Sequence, residues 1–564
     1  MANRKEWDAV VVGSGIGGLV CAAYLAVSGL RVLVLEQHDV AGGNSHVFRR
    51  RRRYEFDVGI HYLGDCGPGG LLPSVFGGLG LADRISYLPM DQDGFDRIVV
   101  PGLTLDVPAG WDGYRKRLRD ALPGDASGID TFTAICSAVG SEGRAAMLSD
   151  EDLTGEQLAA RSPAFTAWEH RTLADLFDHC ALSRQARTVL AAHAPTYGLP
   201  PHQCPLPTHA AIINHYLHGA YYPKGGGQML PAGLVEVIES HGGQVRTRTR
   251  VERILVASGR ATGVALADGH IVTAPLVVSN ADYTRTVQRL VGEEHFDADT
   301  AERTRTSTMS LPFAVLYVAL DTTLADRPNA NLWWYRHTDI DDGFRQLAEH
   351  RIDPVPFLFV SFSSLKDPGA RNIAPEGHSN FQVMTLVPPD HAYWGAEASP
   401  ADGGRYRRSP LYRQRKQQLT EAMLNAAEEA LGPFRGHITH LEAATPLTHE
   451  RYIHSRAGTP YGLARWGATG ERPDTATAVE GLHVVGTSTC YGSGIEGVAT
   501  GAMMCASQIL GRRLIPEVTR GTVLADPSLL PHRGDDFDPL AVSRGRARRH
   551  ARGLARIDTA TGPA

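Results

Sequence analysis

Gly13, Gly15 and Gly18, followed by an acid at Glu36, are the residues of this chain whose types and spacing carry the clearest chemistry. An apolar run from Ala9 to Val12 precedes them, a helix-like run to about Ser28 follows, and Gly29 ends it. A second apolar run, Val32 to Leu35, finishes at Glu36 and Gln37. This is a strand–turn–helix–strand unit with the dinucleotide-binding fingerprint in its proper place. Gly13 allows the tight turn, Gly15 lets backbone amides approach a pyrophosphate, and Gly18 lets helix and strand pack closely. Ile16 and Gly17 lie in the same turn, at a helix end whose partial positive charge favours phosphate. A carboxylate at Glu36 accepts bonds from ribose hydroxyls and repels a 2′-phosphate. No second fingerprint follows a strand elsewhere, so a separate NAD(P) site is not expected.

A second glycine turn, Gly42-Gly43-Asn44-Ser45, offers further amides and two polar side chains to phosphate or a polyol chain. Five arginines, Arg49 to Arg53, come next. They lie between two strand-like runs, Val47–Phe48 and Tyr54–Val58. The second run alternates Tyr54, Phe56 and Val58 against Glu55 and Asp57. The arginines are therefore read as a solvated hairpin tip, with contact to anionic lipid as the sharper alternative. Net charge is −5, which argues against nucleic acid as a partner.

The 564 residues suffice for two or more domains. Seven cysteines form no CxxC pair, so neither a metal site nor a disulfide framework is expected. No apolar leader and no stretch of 18 apolar residues is seen. The expected location is cytoplasmic, or peripheral to a membrane.

Further along, "AYYPKGGGQML" leads into an amphipathic helix from about Met229 to Ser240. Residues 244–282 read as a β-meander that closes on an apolar strand, Leu276 to Val278, and Asn280-Ala281-Asp282. Near the end, "GLHVVGTSTCYGSGIEGVATGAM" reads as a strand, a glycine loop and a helix from about Ile495. The arginine-rich stretch 513–564 has no convincing core pattern and is expected to be loosely attached.

In this order, the βαβ unit with Glu36, the Gly42-Gly43 turn, "FDVGIHYLG", "YYPKGGG", "VVSNAD" and the closing glycine loop resemble the phytoene desaturase-like flavoproteins. The GxHxxG pattern of Gly59 to Gly64 and the Tyr-Pro-Lys-Gly-Gly stretch are similar to the retinol saturase and carotenoid isomerase branch. The resemblance spans about residues 7 to 512. It implies an α/β fold: a Rossmann-like FAD domain built from discontinuous segments, plus a mixed α+β substrate domain. The FAD domain is expected from 7–100, 241–295 and 476–512. The substrate domain is expected from 101–240, with a helical insertion, and from 296–475. It implies FAD as cofactor and an apolar polyene or isoprenoid as substrate. It places Val251 near the adenine and Gly486, Glu496 and Val498 along the flavin, with Gly59, His61, Asn280, Gly494, Ile495 and Gly497 in the same cradle.

Flavin chemistry on such a substrate is desaturation, saturation or redox-neutral isomerisation by hydride transfer at N5, and the protein positions and tunes the cofactor. A proton donor or acceptor is needed beside it. The candidates are His61, Tyr62, His454 and Tyr461, histidine having a pKa suited to proton transfer near neutrality. A quinone, oxygen or a reductase is the expected electron partner. Two alternatives stay open at this point: an amine-oxidase-like flavoenzyme acting on a small substrate, and a non-catalytic prenyl carrier of the GDP-dissociation-inhibitor type.

Overall fold

The computed structural model describes residues 7–149, 151, 154–466 and 471–545. Strands β1 (Ala9–Val12) and β2 (Val32–Leu35) are apolar at every position and buried at every position. That is the signature of parallel strands covered on both faces. They sit inside a five-stranded sheet whose order is Gln244–Arg246, β2, β1, Leu276–Ser279 and Leu482–Val484. Every neighbouring pair is parallel. Residues separated by more than 200 positions thus complete one sheet, as the discontinuous Rossmann-like reading requires. The expected meander is present as Val251–Ala257, Arg260–Leu266 and Ile271–Thr273.

Helix α1 (Ile16–Val27) is almost entirely buried, packed between the Met229–Ser240 and Gly494–Leu510 helices. A helix apolar all round belongs in such a place.

The second half of the fold is a seven-stranded sheet, ordered Ile438–Ala444, Phe313–Leu320, Ser379–Leu386, Phe357–Ser361, Asn331–Tyr335, Asp96–Val100 and Leu103–Val107. Its Phe313–Leu320 strand, FAVLYVAL, divides by the period of two. Phe313, Val315, Tyr317 and Ala319 face one core with Trp333 and Phe359. Ala314, Leu316, Val318 and Leu320 face another, closed by the helix Pro410–Leu431.

Three expectations are corrected. The hairpin consists of β3 (Val47–Arg50) and β4 (Tyr54–Asp57), so the first strand takes in Arg49 and Arg50. Only Arg51–Arg53 form the tip. Arg49 bridges Glu55 and Asp538, each at 2.7 Å, and Arg50 pairs with Glu442 at 2.6 Å. Second, β4 has no solvent face. Glu55 and Asp57 are tolerated in the interior because donors meet them: Arg49 from the paired strand and Asn372 on Glu55, Tyr222 and the Gly227 amide on Asp57. Third, the stretch from 513 to 545 is no loose tail. Leu514, Ile515 and Val518 are buried, Arg533 clasps the buried Glu236 at 2.8 Å, and Ser543 bonds to Ala41 and Gln228. The remaining arginines of that stretch, from Arg546 on, lie outside the described residues.

Candidate functional site

The two glycine turns meet. The Gly42 amide donates to the Ser14 carbonyl at 2.9 Å, and Asn280 packs over the first turn and reaches Gly486. A Cβ at Gly15 would lie 2.6 Å from the Asn280 side chain, and one at Gly43 would lie 2.9 Å from Gly15 Cα. Such close approach of three backbone segments leaves no room for side chains and holds a row of amides toward one space.

That space is a continuous cavity of about 1990 Å³. A single small-molecule site usually takes ~300–1,000 Å³, so there is room for a dinucleotide and a second ligand. Gly13, Gly15, Ile16, Gly17, Glu36, Gln37, Gly42, Gly43, Asn44, Ser45, Gly59, Val251, Asn280 and Gly486 all line it, as do Gly494, Ile495, Glu496, Gly497 and Val498. Gly18 is absent from the lining: a Cβ there would strike the Gly13 carbonyl, so it serves packing within the turn. Glu36 is fixed by the Ser14 amide and hydroxyl and by the His38 amide. These donors aim its carboxylate. The Gly494–Leu510 helix begins at Ser493, whose side chain makes no capping bond. Its first amides are left for a ligand, as at other anion-binding helix ends. The donor set fits FAD: acid for ribose, two amide turns for pyrophosphate, and a helix end beyond.

Past Gly486 the cavity turns apolar and aromatic, lined by Phe313, Val315, Phe359, Met384 and Tyr461. His61 and Tyr62 stand at this junction. His61 meets Phe359 edge-on at 5.7 Å, and Tyr62 stacks on Tyr216 at 4.1 Å. Tyr461 packs on Phe313 at 6.0 Å. His454 is not brought here. Its charged neighbours are Arg285, Arg250, Asp402 and Glu450, at the Val251 end of the cavity, and burial pulls its imidazole down to about 4. It stands apart from the junction at which His61, Tyr62 and Tyr461, the other proton-transfer candidates, are found.

The expectation that His61 titrates near neutrality is also corrected. Burial, reinforced by the Lys366 ammonium, pushes it down to about 3, so the ring is neutral at physiological pH. Burial raises the Tyr62 and Tyr461 phenols well above their ordinary value.

Three groups escaped the sequence reading. Lys366 donates to the His61 carbonyl and to Ser361, each at 2.6 Å, and burial draws it down to about 7. Asp96 is fully buried and accepts from Tyr62, His193 and Asn331. His215 pairs its Nδ1 with Glu496 at 2.7 Å while its Nε2 accepts the Gly64 amide at 2.8 Å. The carboxylate outweighs burial and raises the proton affinity of this imidazole. With Nε2 occupied by a donor, though, the single ring proton sits on Nδ1 and the ring is neutral. No motif announces any of the three, because each acts through segments far apart in sequence.

Among the described residues no group of His, Cys, Asp and Glu side chains could hold a metal ion. None of their helices is long and apolar enough to cross a membrane.

The family match and the similar enzymes show an FAD-dependent oxidoreductase, and the cavity fits that cofactor. Comparison with known proteins places it further: residues 16–510 match the model of the flavin containing amine oxidoreductases, and the chain belongs to that family. It is 30% identical over 91% of its length to the all-trans-retinol 13,14-reductase of Macaca fascicularis, covering 87% of that protein. It is 25% identical over 90% of its length to the chloroplastic prolycopene isomerase 2 of an Oncidium hybrid cultivar, covering 84% of it. Among solved structures, a putrescine oxidase superposes with a TM-score of 0.59 at 13% identity, covering 90% of this chain and 99% of that one. An oxidoreductase from Methanosarcina mazei superposes with a TM-score of 0.57 at 19% identity, covering 89% and 100%. These two likenesses show the fold alone.

Proposed function

We propose that the chain adds hydrogen across, or isomerises, a carbon–carbon double bond of a long apolar polyene. The observation that carries this is the cavity itself. It continues from the dinucleotide cradle into an aromatic and aliphatic chamber bordered by Phe313, Phe359, Met384 and Tyr461. The reductase and isomerase relatives support the same substrate class. Reduction is the favoured direction, because the reductases are the more similar of the two groups, at 30% against 25% identity.

FAD, when bound, supplies hydride acceptance and donation. The chain's own residues do the rest. Glu36 and the two glycine turns hold the nucleotide. The apolar chamber excludes water and orients the polyene. Neutral His61 and the Tyr62 and Tyr461 phenols are the uncharged polar groups at the junction, fit to steady a proton without placing a full charge beside an apolar chain. The domain boundaries of the sequence reading belong to this proposal, with the nucleotide part extended by the packed segment up to residue 545. In the reducing direction the electron pair comes from a reductase or a quinol, while a quinone or oxygen serves to take electrons from the reduced cofactor. The exposed Arg51–Arg53 tip is a candidate contact for an anionic membrane holding the substrate.

The test is the mass of the product. FAD-loaded protein, oxidised or chemically reduced, is incubated without oxygen with carotenes, retinoids and other polyenes. A gain of two hydrogens is the expected result; unchanged mass with a new retention time identifies an isomerase. If FAD is bound and no polyene reacts, the proposal fails, and amines become the substrates to try, as the family description suggests.

A further inference from the structure

The sequence Ser493-x-x-Glu496 has the form of a capping box, in which the glutamate would fold back onto the start of its own helix. The structure does otherwise. Ser493 makes no side-chain bond to the helix, and Glu496 reaches across to His215 on the Leu206–Leu217 helix. Both side chains line the cavity and keep some exposure to it, 21% for Glu496 and 17% for His215.

The remaining charges nearby nearly cancel. Arg144 is paired with Asp65 at 2.5 Å. His218 stands further off and bonds to the Asn214 carbonyl. His215 has its Nε2 filled by the Gly64 amide and carries no charge. A net negative charge is therefore left on Glu496, in the first turn of a helix whose N-terminal dipole is positive.

What lies beside that charge follows from the order of the cavity wall. The ribose acid Glu36 is at one end, the glycine turns come next, and Asn280 joins them to Gly486. The apolar chamber is at the other end. A dinucleotide with its pyrophosphate on the glycine turns must pass Gly486–Val498 to reach that chamber. Bound in that way, its redox ring would be held by the first turn that bears Glu496.

We propose that Glu496, oriented by His215, lowers the reduction potential of the bound FAD. A bare helix N-terminus would stabilise the negative charge gained on reduction. A carboxylate in that first turn opposes it, and the reduced cofactor becomes the stronger reductant. His215 is the positioning residue: its Nδ1 lies 2.7 Å from the carboxylate, off the line of a hydrogen bond, and packs against and partly screens it. Adding hydrogen to an unactivated carbon–carbon bond benefits from such a setting. The inference itself does not depend on the identity of the substrate.

The test is a dye-coupled potential titration of the FAD-loaded full-length protein, with Glu496→Gln and His215→Asn beside the wild type. Glu496→Gln is expected to raise the potential enough to shift the oxidised-to-reduced ratio at a fixed solution potential at least tenfold, about 30 mV for a two-electron couple. His215→Asn is expected to lower it, since the carboxylate loses its screening neighbour. Opposite signs are the diagnostic result, because general loosening of the site would move both variants the same way. An unchanged or lowered potential in Glu496→Gln overturns the proposal. Loss of FAD from Glu496→Gln assigns the carboxylate to holding the cofactor and also overturns it. If His215→Asn raises the potential, the positioning role is overturned.

Discussion

Arg49→Ser, set against Arg52→Ser, separates the two halves of the arginine run. Arg49 donates through Nε to Glu55 at 2.7 Å and through its other nitrogens to Asp538 at 3.0 and 2.7 Å. Arg52 is exposed at the tip. The Glu55 side chain is only 2% exposed, so deleting its cation strands a buried carboxylate with Asn372 as its remaining side-chain donor. Losing a charged hydrogen-bonding partner of a buried group costs about 1–3 kcal/mol. Arg49 is itself 35% exposed, which places the loss in the lower part of that range. Arg52→Ser should stay within about 0.5 kcal/mol of wild type. The pH dependence sharpens the contrast. Burial holds Glu55 at about 7 in the folded protein, above the ordinary carboxylate value, despite Arg49. A carboxyl whose folded pKa is raised costs stability as pH climbs from its unfolded to its folded pKa. Removing Arg49 raises that folded pKa further and extends the window upward. The destabilisation by Arg49→Ser must therefore be small at pH 5, where Glu55 is protonated with or without the guanidinium, and larger at pH 8. Thermal unfolding of both variants at the two pH values reads this directly. Equal losses for Arg49→Ser and Arg52→Ser, or an Arg49→Ser loss that shrinks as pH rises, would refute the reasoning.

Gly15→Val should yield protein without bound FAD, since a Cβ there meets Asn280 at 2.6 Å and the branch projects toward the pyrophosphate space; flavin absorbance after purification checks it. His61→Phe should keep FAD but slow single-turnover oxidation of the reduced enzyme by a polyene at least tenfold. In the wild type no titration assignable to His61 should appear between pH 5 and 8, because the imidazole is held at about 3. Arg533→Met should lower the thermal midpoint by taking two guanidinium bonds at 3.1 and 2.8 Å from Glu236, which keeps only Arg84 at 3.5 Å; a cost of about 1–3 kcal/mol is expected, and an unshifted midpoint would show the segment to be a bystander.

The nucleotide cradle was legible because its physics is local. A tight turn, an amide row and a helix end need glycines at fixed offsets, and those offsets are written in consecutive residues. The strands β1 and β2 were legible for a similar reason, since strands buried on both faces are apolar throughout. The alternation in β4 misled: Glu55 and Asp57 look solvent-facing until Asn372, Tyr222 and Gly227 arrive from hundreds of residues away. The same holds for Lys366, Asp96 and His215, each a lone polar residue whose meaning depends on a neighbour in another segment. His454 was a single histidine in an aromatic context, which spacing alone cannot place at one end of a cavity or the other. The stretch from 513 to 545 reads as polar and irregular, yet it is tied down by scattered apolar anchors, Leu514, Ile515, Val518 and Leu530, and by a few well-placed bonds rather than by a long periodic apolar face.

The five-stranded sheet and the segment behind it also set a timetable for making the protein. Strand Leu482–Val484, the helix that follows it and the Asp538–Ser543 contacts with Arg49 and Ala41 all come hundreds of residues after β1 and β2. At a synthesis rate of about 5–20 residues per second, the glycine turn of Gly13 waits roughly 25–100 s for the strand that completes its sheet. The early βαβ unit must remain soluble over that interval with one edge of its sheet unpaired. The cradle is finished only once the Gly494–Leu510 helix has been made, so it cannot hold FAD before then.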